Sequence, residues 1–307
     1  MTANPLSGLF IIDKPQGMTS HDVVQRVRRL TGQRKTGHSG TLDPMATGVL
    51  LVCLGQATRI IEYLMTGRKT YQATIRFGVT TDTLDADGQI TSQKDSSTLT
   101  ATEITQVLPR FQGLIEQIPP IYSALKKDGQ PLYKRARAGE VVTVDPRPVT
   151  IYNIEWDSWS APDLTITVTC SAGTYIRSLA RDIGEAVEVG AHLVGLIRTD
   201  NGTCRLSDAV TLEQLEIDWR THLLPIDHAI THIPKIILNN TDYEHVQHGR
   251  KITLLFDQHK LTMVNVRSML RAYTPSGQFL AILTPVQEVE NLWRPKKVFK
   301  TDSHVVL

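Results

Sequence analysis

The chain has 307 residues, an ordinary apolar fraction of 41% and a formal net charge of +2, which fits a globular protein of one large domain and a small one. No stretch reaches the apolar length needed to cross a bilayer, MTANPLSGLF lacks the basic and apolar regions of a secretory leader, and Cys53, Cys170 and Cys204 form no C-x-x-C pair. A disulfide framework and a structural zinc site are therefore not expected, and a reduced, cytoplasmic setting is.

In chain order, Gly8 to Asp13 reads as a buried strand and Asp13-Lys14-Pro15-Gln16-Gly17 as a turn. Ser20 is the expected N-cap of a helix with Val23, Val24, Val27 and Leu30 on one face and Gly32 as its stop. Arg26, Arg28, Arg29, Arg34 and Lys35 follow with no acidic residue between Val23 and Leu42. They read either as a solvated face or as a basic approach to the next loop. That loop, HSGTLDPMATGVLL from His38 to Leu51, runs into the apolar stretch Val49–Leu54, a buried strand. Asp43 lies in its middle before Pro44. On spacing alone it is a turn-starting aspartate, and His38 a core histidine. A carboxylate on a tight loop feeding a core strand is also well placed beside a cleft.

Thr70 to Phe77 alternates, with Tyr71, Ala73, Ile75 and Phe77 on one face, so Tyr71 reads as a core aromatic. Thr83 to Gly88 has the aspartates of a calcium loop, but Thr83 takes the first ligand position and Lys94 the closing one, so an Asp-Gly turn is expected. Lys94 to Ala101 is a polar loop and Thr102 to Leu108 a short helix. After Pro119-Pro120, Lys126, Lys127, Lys134, Arg135 and Arg137 outweigh Asp128 and Glu140, with Tyr122 and Tyr133 interleaved. This is either a solvated loop or a surface for phosphates and stacked bases. Leu164 to Cys170 alternates as a strand. A helix is expected from near Thr174 with Ile176, Leu179, Ala180, Ile183 and Val187 inward; an exposed Arg177 is the commoner outcome there, a turn toward the sheet edge the alternative. A boundary is placed at 233, giving units 1–232 and 233–307. The second is read as β-rich, with strands at Leu261–Arg267 and Phe279–Thr284 and a turn at Pro275-Ser276-Gly277. Residues 235–307 carry 10 Lys+Arg against 6 Asp+Glu, a local +4, whereas the rest of the chain is −2.

The run His38, Gly40, Thr41, Leu42, Asp43, Pro44, Ala46, Gly48, Leu50 resembles the signature of the TruB family of tRNA pseudouridine synthases. The likeness continues through Gly8, Asp13-Lys14-Pro15, Gly17, Thr19-Ser20, Lys69-Thr70-Tyr71, the stretch from Phe111 to Glu140, Gly173-Thr174-Tyr175-Ile176-Arg177, Ala191-His192-Leu193, Leu196 and Arg198-Thr199. Cys204 departs from the aromatic common there. The 233–307 unit resembles the family's PUA-like module only through Gly249 and Ile252.

The resemblance implies an α+β fold on a large mixed sheet, with a PUA-like β-barrel module and an RNA-gripping insertion at about 119–150. It implies isomerisation of uridine 55 in the T loop of tRNA, without cofactor or metal. Asp43 would be the nucleophile, Arg177 its ion-pair partner, and Tyr71 a stacking and proton-accepting group. Tyr175 and Leu196 would line the pocket, His38 would fill the space left by the flipped base, and Lys126 and Arg137 would hold the T arm. A monomer without an obligate protein partner is expected. RNA folding alongside catalysis, a non-catalytic RNA-binding protein and a guide-dependent subunit are the other readings. An aspartyl phosphatase lacks its second aspartate after Asp43-Pro44-Met45, and a carboxylate-pair glycosidase would need a second acid that nothing near Asp43 supplies.

Overall fold

The computed structural model describes residues 6–123, 126–127, 130–131, 143–254, 269–287 and 289–300. A nine-stranded mixed sheet forms the bulk of the molecule. Its main path runs Gly8–Lys14, Thr47–Leu54, Ala191–Asn201, Lys69–Phe77, Asp163–Cys170, Arg147–Ser160, Gly113–Gln117. Along it only Thr47–Leu54 and Ala191–Asn201 run parallel. Helices Ser20–Thr31, Ala101–Val107 and Ile176–Ala186 cover one face, where Val23, Val27, Ile104, Leu179 and Ile183 join Phe10, Leu50, Ala73, Ile75 and Ile166 in one core. This is the α+β architecture expected.

The strand alternations hold: Tyr71, Ala73, Ile75 and Phe77 are buried, as are Leu164, Ile166, Val168 and Cys170. The first helix ends as read, on left-handed Gly32. Its start differs. Thr19, not Ser20, is the N-cap, in a reciprocal capping box with Asp22. Ser20 is buried, and its hydroxyl is engaged with the Asp43 loop instead. The later helix begins at Ile176 rather than near Thr174, because Tyr175 stays extended.

A second, five-stranded sheet holds Lys235–Ile237, Leu270–Tyr273, Phe279–Pro285, Leu292–Val298 and Ile252–Thr253. Pro275-Ser276-Gly277 turns between two of them, as expected; the strand expected at Leu261–Arg267 lies outside the described residues. The sheet is not a loose appendage. Ile282, Phe279 and Phe299 share a core with Leu9, Ile11, Val49, Leu51 and Cys53 from the uncovered side of the large sheet, and with Ile226, Ile230 and Ile233. Polar ties reinforce it: Arg59 donates to the Val298 carbonyl at 2.6 Å, and Lys297 pairs with Glu62. Part of the local +4 is thus spent internally, on Glu62 and, through Arg271, on Asp227. Exposed Arg250, Lys251 and Arg294 remain outward, with Lys251 and Arg294 flanking the Ile252–Trp293 pair.

Candidate active site

The loop that carries Asp43 is fixed at every residue from Ser39 to Pro44. Asn201 Nδ2 donates to the Ser39 carbonyl at 3.3 Å. Arg198, 1% exposed, donates to the carbonyls of Gly40 at 3.2 Å and Thr41 at 3.5 Å while its Nε holds Val49 at 2.7 Å. Ser20 Oγ accepts the Leu42 N–H at 2.8 Å and donates to the Leu42 carbonyl at 3.1 Å. Ala46 N–H caps the Asp43 carbonyl at 3.1 Å. The Pro44 carbonyl takes Gly17 N–H at 2.8 Å and the Lys14 ammonium at 3.4 Å. Lys14 is fully buried, and burial lowers its pKa to about 8. Asp13 accepts the Gly48 N–H at 3.1 Å. Gly48 itself sits at φ 98°, where a Cβ would lie 2.3 Å from the Arg198 carbonyl. The strand end Asp13-Lys14, Ser20, Gly48 and Arg198 are therefore parts of one mount for Asp43.

Arg177 is turned inward and 5% exposed, the less common of the two outcomes read from its pattern. Its Nε lies 3.0 Å from Asp43 Oδ2, Nη1 donates to Thr83 O at 3.0 Å and pairs with Asp85 Oδ2 at 3.1 Å, and Nη2 donates to Tyr122 O at 3.0 Å. The Nε contact has the distance of an ion pair, but its N–H does not point at the oxygen. The guanidinium is thus held from behind by three acceptors, with one edge left for Asp43; such contacts tighten when a substrate arrives. Asp85, 4% exposed, is the second acid that the sequence did not suggest. It comes from the Thr83–Gly88 turn, where Leu84 adopts φ 65°, a costly conformation for leucine.

Asp43 lies in a cavity of about 260 Å³ lined also by Tyr71, Tyr175, Arg177, Leu196 and Arg198, with Met65 at its mouth. The carboxylate keeps about 35% of its side chain open, toward this cavity. Its pKa is raised: burial outweighs the opposing pull of Arg177, and Asp85 adds to the rise. The Tyr71 and Tyr175 hydroxyls are also pushed up, first by burial. Lys69, lowered to about 8 by burial, caps the Met65 and Gly67 carbonyls at the rim.

Of the residues singled out in the sequence, Asp43, Tyr71, Tyr175, Arg177 and Leu196 meet at this cavity. His38 does not line it. It is half-buried on Thr36–Ser39, paired with Val52, and burial lowers its pKa. Lys126 belongs to a two-residue strand paired with Pro131 and Gln130, and Arg137 lies outside the described residues. Sequence reasoning missed Asp85, and it named Arg198 only within the motif Arg198-Thr199, without its hold on the Asp43 loop. The Asp-Ala-Asp-Gly run was the available signal for the first. Among the described residues no group of His, Cys, Asp and Glu could hold a metal, and no helix is long and apolar enough to cross a membrane.

A mounted carboxylate against a buried guanidinium, at the base of an aromatic-walled cavity on a large mixed sheet, is accompanied by a definite fold class. The chain matches a chain from the crystal structure of a Cbf5-Nop10-Gar1 complex with a TM-score of 0.73 and 27% identity, covering 95% of this chain and 85% of that one. It also matches one from an H/ACA RNP bound to a substrate RNA containing 2'-deoxyuridine, TM-score 0.72, 24% identity, over 97% and 87%, a likeness of fold. The profile of the TruB family pseudouridylate synthase N-terminal domain matches residues 28–176, and that of the tRNA pseudouridylate synthase B C-terminal domain matches 177–231. The chain belongs to the TruB family of pseudouridylate synthases. Proteins named tRNA pseudouridine synthase B are 44% identical over 80% of this chain and 84% of theirs in Pseudomonas aeruginosa, and 40% over 96% and 97% in Dehalococcoides mccartyi.

Proposed function

We propose that this chain is a tRNA pseudouridine synthase that isomerises the uridine at position 55 of the T loop, with Asp43 as nucleophile and no cofactor. The observation that carries the reading is the Asp43 carboxylate, ion-paired to Arg177 at 3.0 Å, facing a cavity of about 260 Å³ that suits a single flipped base. The relatives' shared name supports tRNA as substrate. The reaction breaks the N1–C1′ bond, turns the uracil, joins C5 to C1′ and releases the C5 proton. Nothing is oxidised and no outside group is transferred.

Asp43 supplies the attacking electron pair and must be ionised to do so. Arg177 holds that charge and sets its direction. Tyr71 stacks on the turned base; a phenol kept neutral by burial accepts a proton only while giving up its own, so Tyr71 acts as a relay rather than a free base. Tyr175 and Leu196 close the other side. His38, outside the cavity, supports the RNA emptied by base flipping. Residues 1–232 are the catalytic unit, and 233–307 a PUA-like RNA-binding unit. Within 119–150, Lys126 and Arg137 hold the T arm. The protein acts as a cytoplasmic monomer.

The direct test is tritium release from C5 of uridine in an unmodified tRNA transcript, without added metal or nucleotide. Wild type should release label and Asp43→Asn none. Tight tRNA binding with no release by either protein would favour a non-catalytic RNA-binding role.

The 233–307 unit cannot be tested by deletion, because truncation would strip cover from Leu9, Ile11, Ile226 and Ile230. Charge reversal at exposed Arg250, Lys251 and Arg294 is cleaner. Removing one cation–phosphate interaction should reduce the slope of log K against log salt by roughly 0.7–0.9. An unchanged slope in the triple variant would place the RNA elsewhere.

A further inference from the structure

The segment that leads into the basic 119–150 stretch is tied to the pocket wall by several side chains, and one of them grips the wall's backbone twice. Gln117 is 1% exposed at the end of the edge strand Gly113–Gln117. Its amide grips the backbone of Tyr175 twice: Oε1 accepts the Tyr175 N–H at 2.8 Å and Nε2 donates to the Tyr175 carbonyl at 3.1 Å. Tyr175 is the extended residue ahead of the helix Ile176–Ala186, and it has no side-chain cap bond. Gln117 thus supplies the partner of the Tyr175 N–H in a half-buried position, and adds a second bond to a carbonyl that also accepts the Leu179 N–H at 3.1 Å. Further contacts tie the same two segments together: Ser178 Oγ donates to Ile118 O at 2.8 Å, Arg181 Nη2 to Ile118 O at 3.3 Å and Arg177 Nη2 to Tyr122 O at 3.0 Å.

We infer that Gln117 is a positioning residue for pseudouridine formation: its bidentate amide fixes the Tyr175 backbone, and with it the ring that walls the cavity and the register of Arg177 two residues on. Only a side chain with one acceptor and one donor on a planar head can grip both Tyr175 groups at once. The inference rests on the proposed function, since it assigns Gln117 a part in that chemistry.

Gln117→Glu gives a signature that loss of a packing residue does not. The carboxylate keeps an acceptor for the Tyr175 N–H but sets its second oxygen against the Tyr175 carbonyl. Burial and that carbonyl raise the pKa of the introduced acid. Its protonated form is nearly isosteric with the amide and restores both bonds. Single-turnover rates on saturating tRNA transcript are measured from pH 5.5 to 8.5 for wild type and Gln117→Glu, and tRNA affinity is measured with both proteins also carrying Asp43→Asn. The variant-to-wild-type rate ratio should be below about 0.1 at pH 8.5 and climb several-fold toward pH 5.5, with affinity within about threefold of wild type throughout. A ratio near one and flat overturns the inference. So does a ratio that is depressed but flat, or one that merely tracks weakened tRNA binding or folding, because either makes Gln117 a packing residue. If wild type itself forms no pseudouridine, the proposed function fails instead, and the two failures are distinct.

Discussion

Arg177→Lys should slow pseudouridine formation by roughly 10²–10³-fold at saturating tRNA, the usual cost of removing one oriented electrostatic group, while affinity for tRNA stays within a few-fold. The guanidinium meets Asp43, Asp85, Thr83 O and Tyr122 O at 3.0 to 3.1 Å from three different nitrogens. A lysine ammonium is a single point that cannot span those positions. It can follow Asp85 or Asp43, and either choice leaves buried acceptors without a donor. The charge is conserved, so a large loss isolates geometry from electrostatic neutralisation. Asp85→Asn is the companion: it removes a charge behind the guanidinium without touching the cavity, and a loss of about tenfold is expected because Thr83 and Tyr122 still hold Arg177. Single-turnover assays on tRNA transcript read both. If Arg177→Lys turns over within tenfold of wild type, Arg177 supplies charge and not aim.

What the sequence revealed and what it concealed follow from the range of the interactions. Period-two alternation put Tyr71 and Ile166 on buried faces because neighbouring positions in one strand decide that. The helix stop at Gly32 is equally local. Asp43 and Tyr71 became site residues only through resemblance; alone they read as a turn aspartate and a core aromatic, and Tyr71 is in fact both buried and cavity-lining. The failures are contacts across long separations. Asp85 looked like one residue of the Thr83–Gly88 turn because its partner lies 92 positions on, at Arg177. Ser20 looked like a cap because a serine before a helix usually is one; its partner, Leu42, is brought by the return of the chain. Arg198 was legible only as part of the Arg198-Thr199 motif; its place behind the Gly40-Thr41 carbonyls was not. The +4 of residues 235–307 was counted whole, but Arg271 and Lys297 are neutralised inside the fold.

Asp43→Asn should abolish turnover and at the same time leave the protein at least as heat-stable as wild type at pH 8. Burial raises the Asp43 pKa in the folded state above its ordinary value despite Arg177, because Asp85 already shares that guanidinium. Between the unfolded and the folded pKa the native state therefore binds more protons than the unfolded one. Stability falls as pH rises through the folded pKa, and the cost is fully present above it. Asparagine does not titrate. The melting temperature of Asp43→Asn relative to wild type should accordingly be highest at alkaline pH and shrink toward zero as the pH nears the ordinary carboxylate range, about 4. Arg177 is not orphaned by the change, since Asp85, Thr83 O and Tyr122 O remain. The same shift predicts an acid limb in wild-type single-turnover rates that lies above the ordinary carboxylate range, as the proposed nucleophile is protonated. Thermal melts of both proteins from pH 4 to 8 decide it. An Asn variant that melts lower at pH 8, with a gap that widens as pH rises, would mean that the ion pair with Arg177 outweighs burial, and that the Asp43 carboxylate is a stabilising group rather than a charge maintained at the expense of the fold.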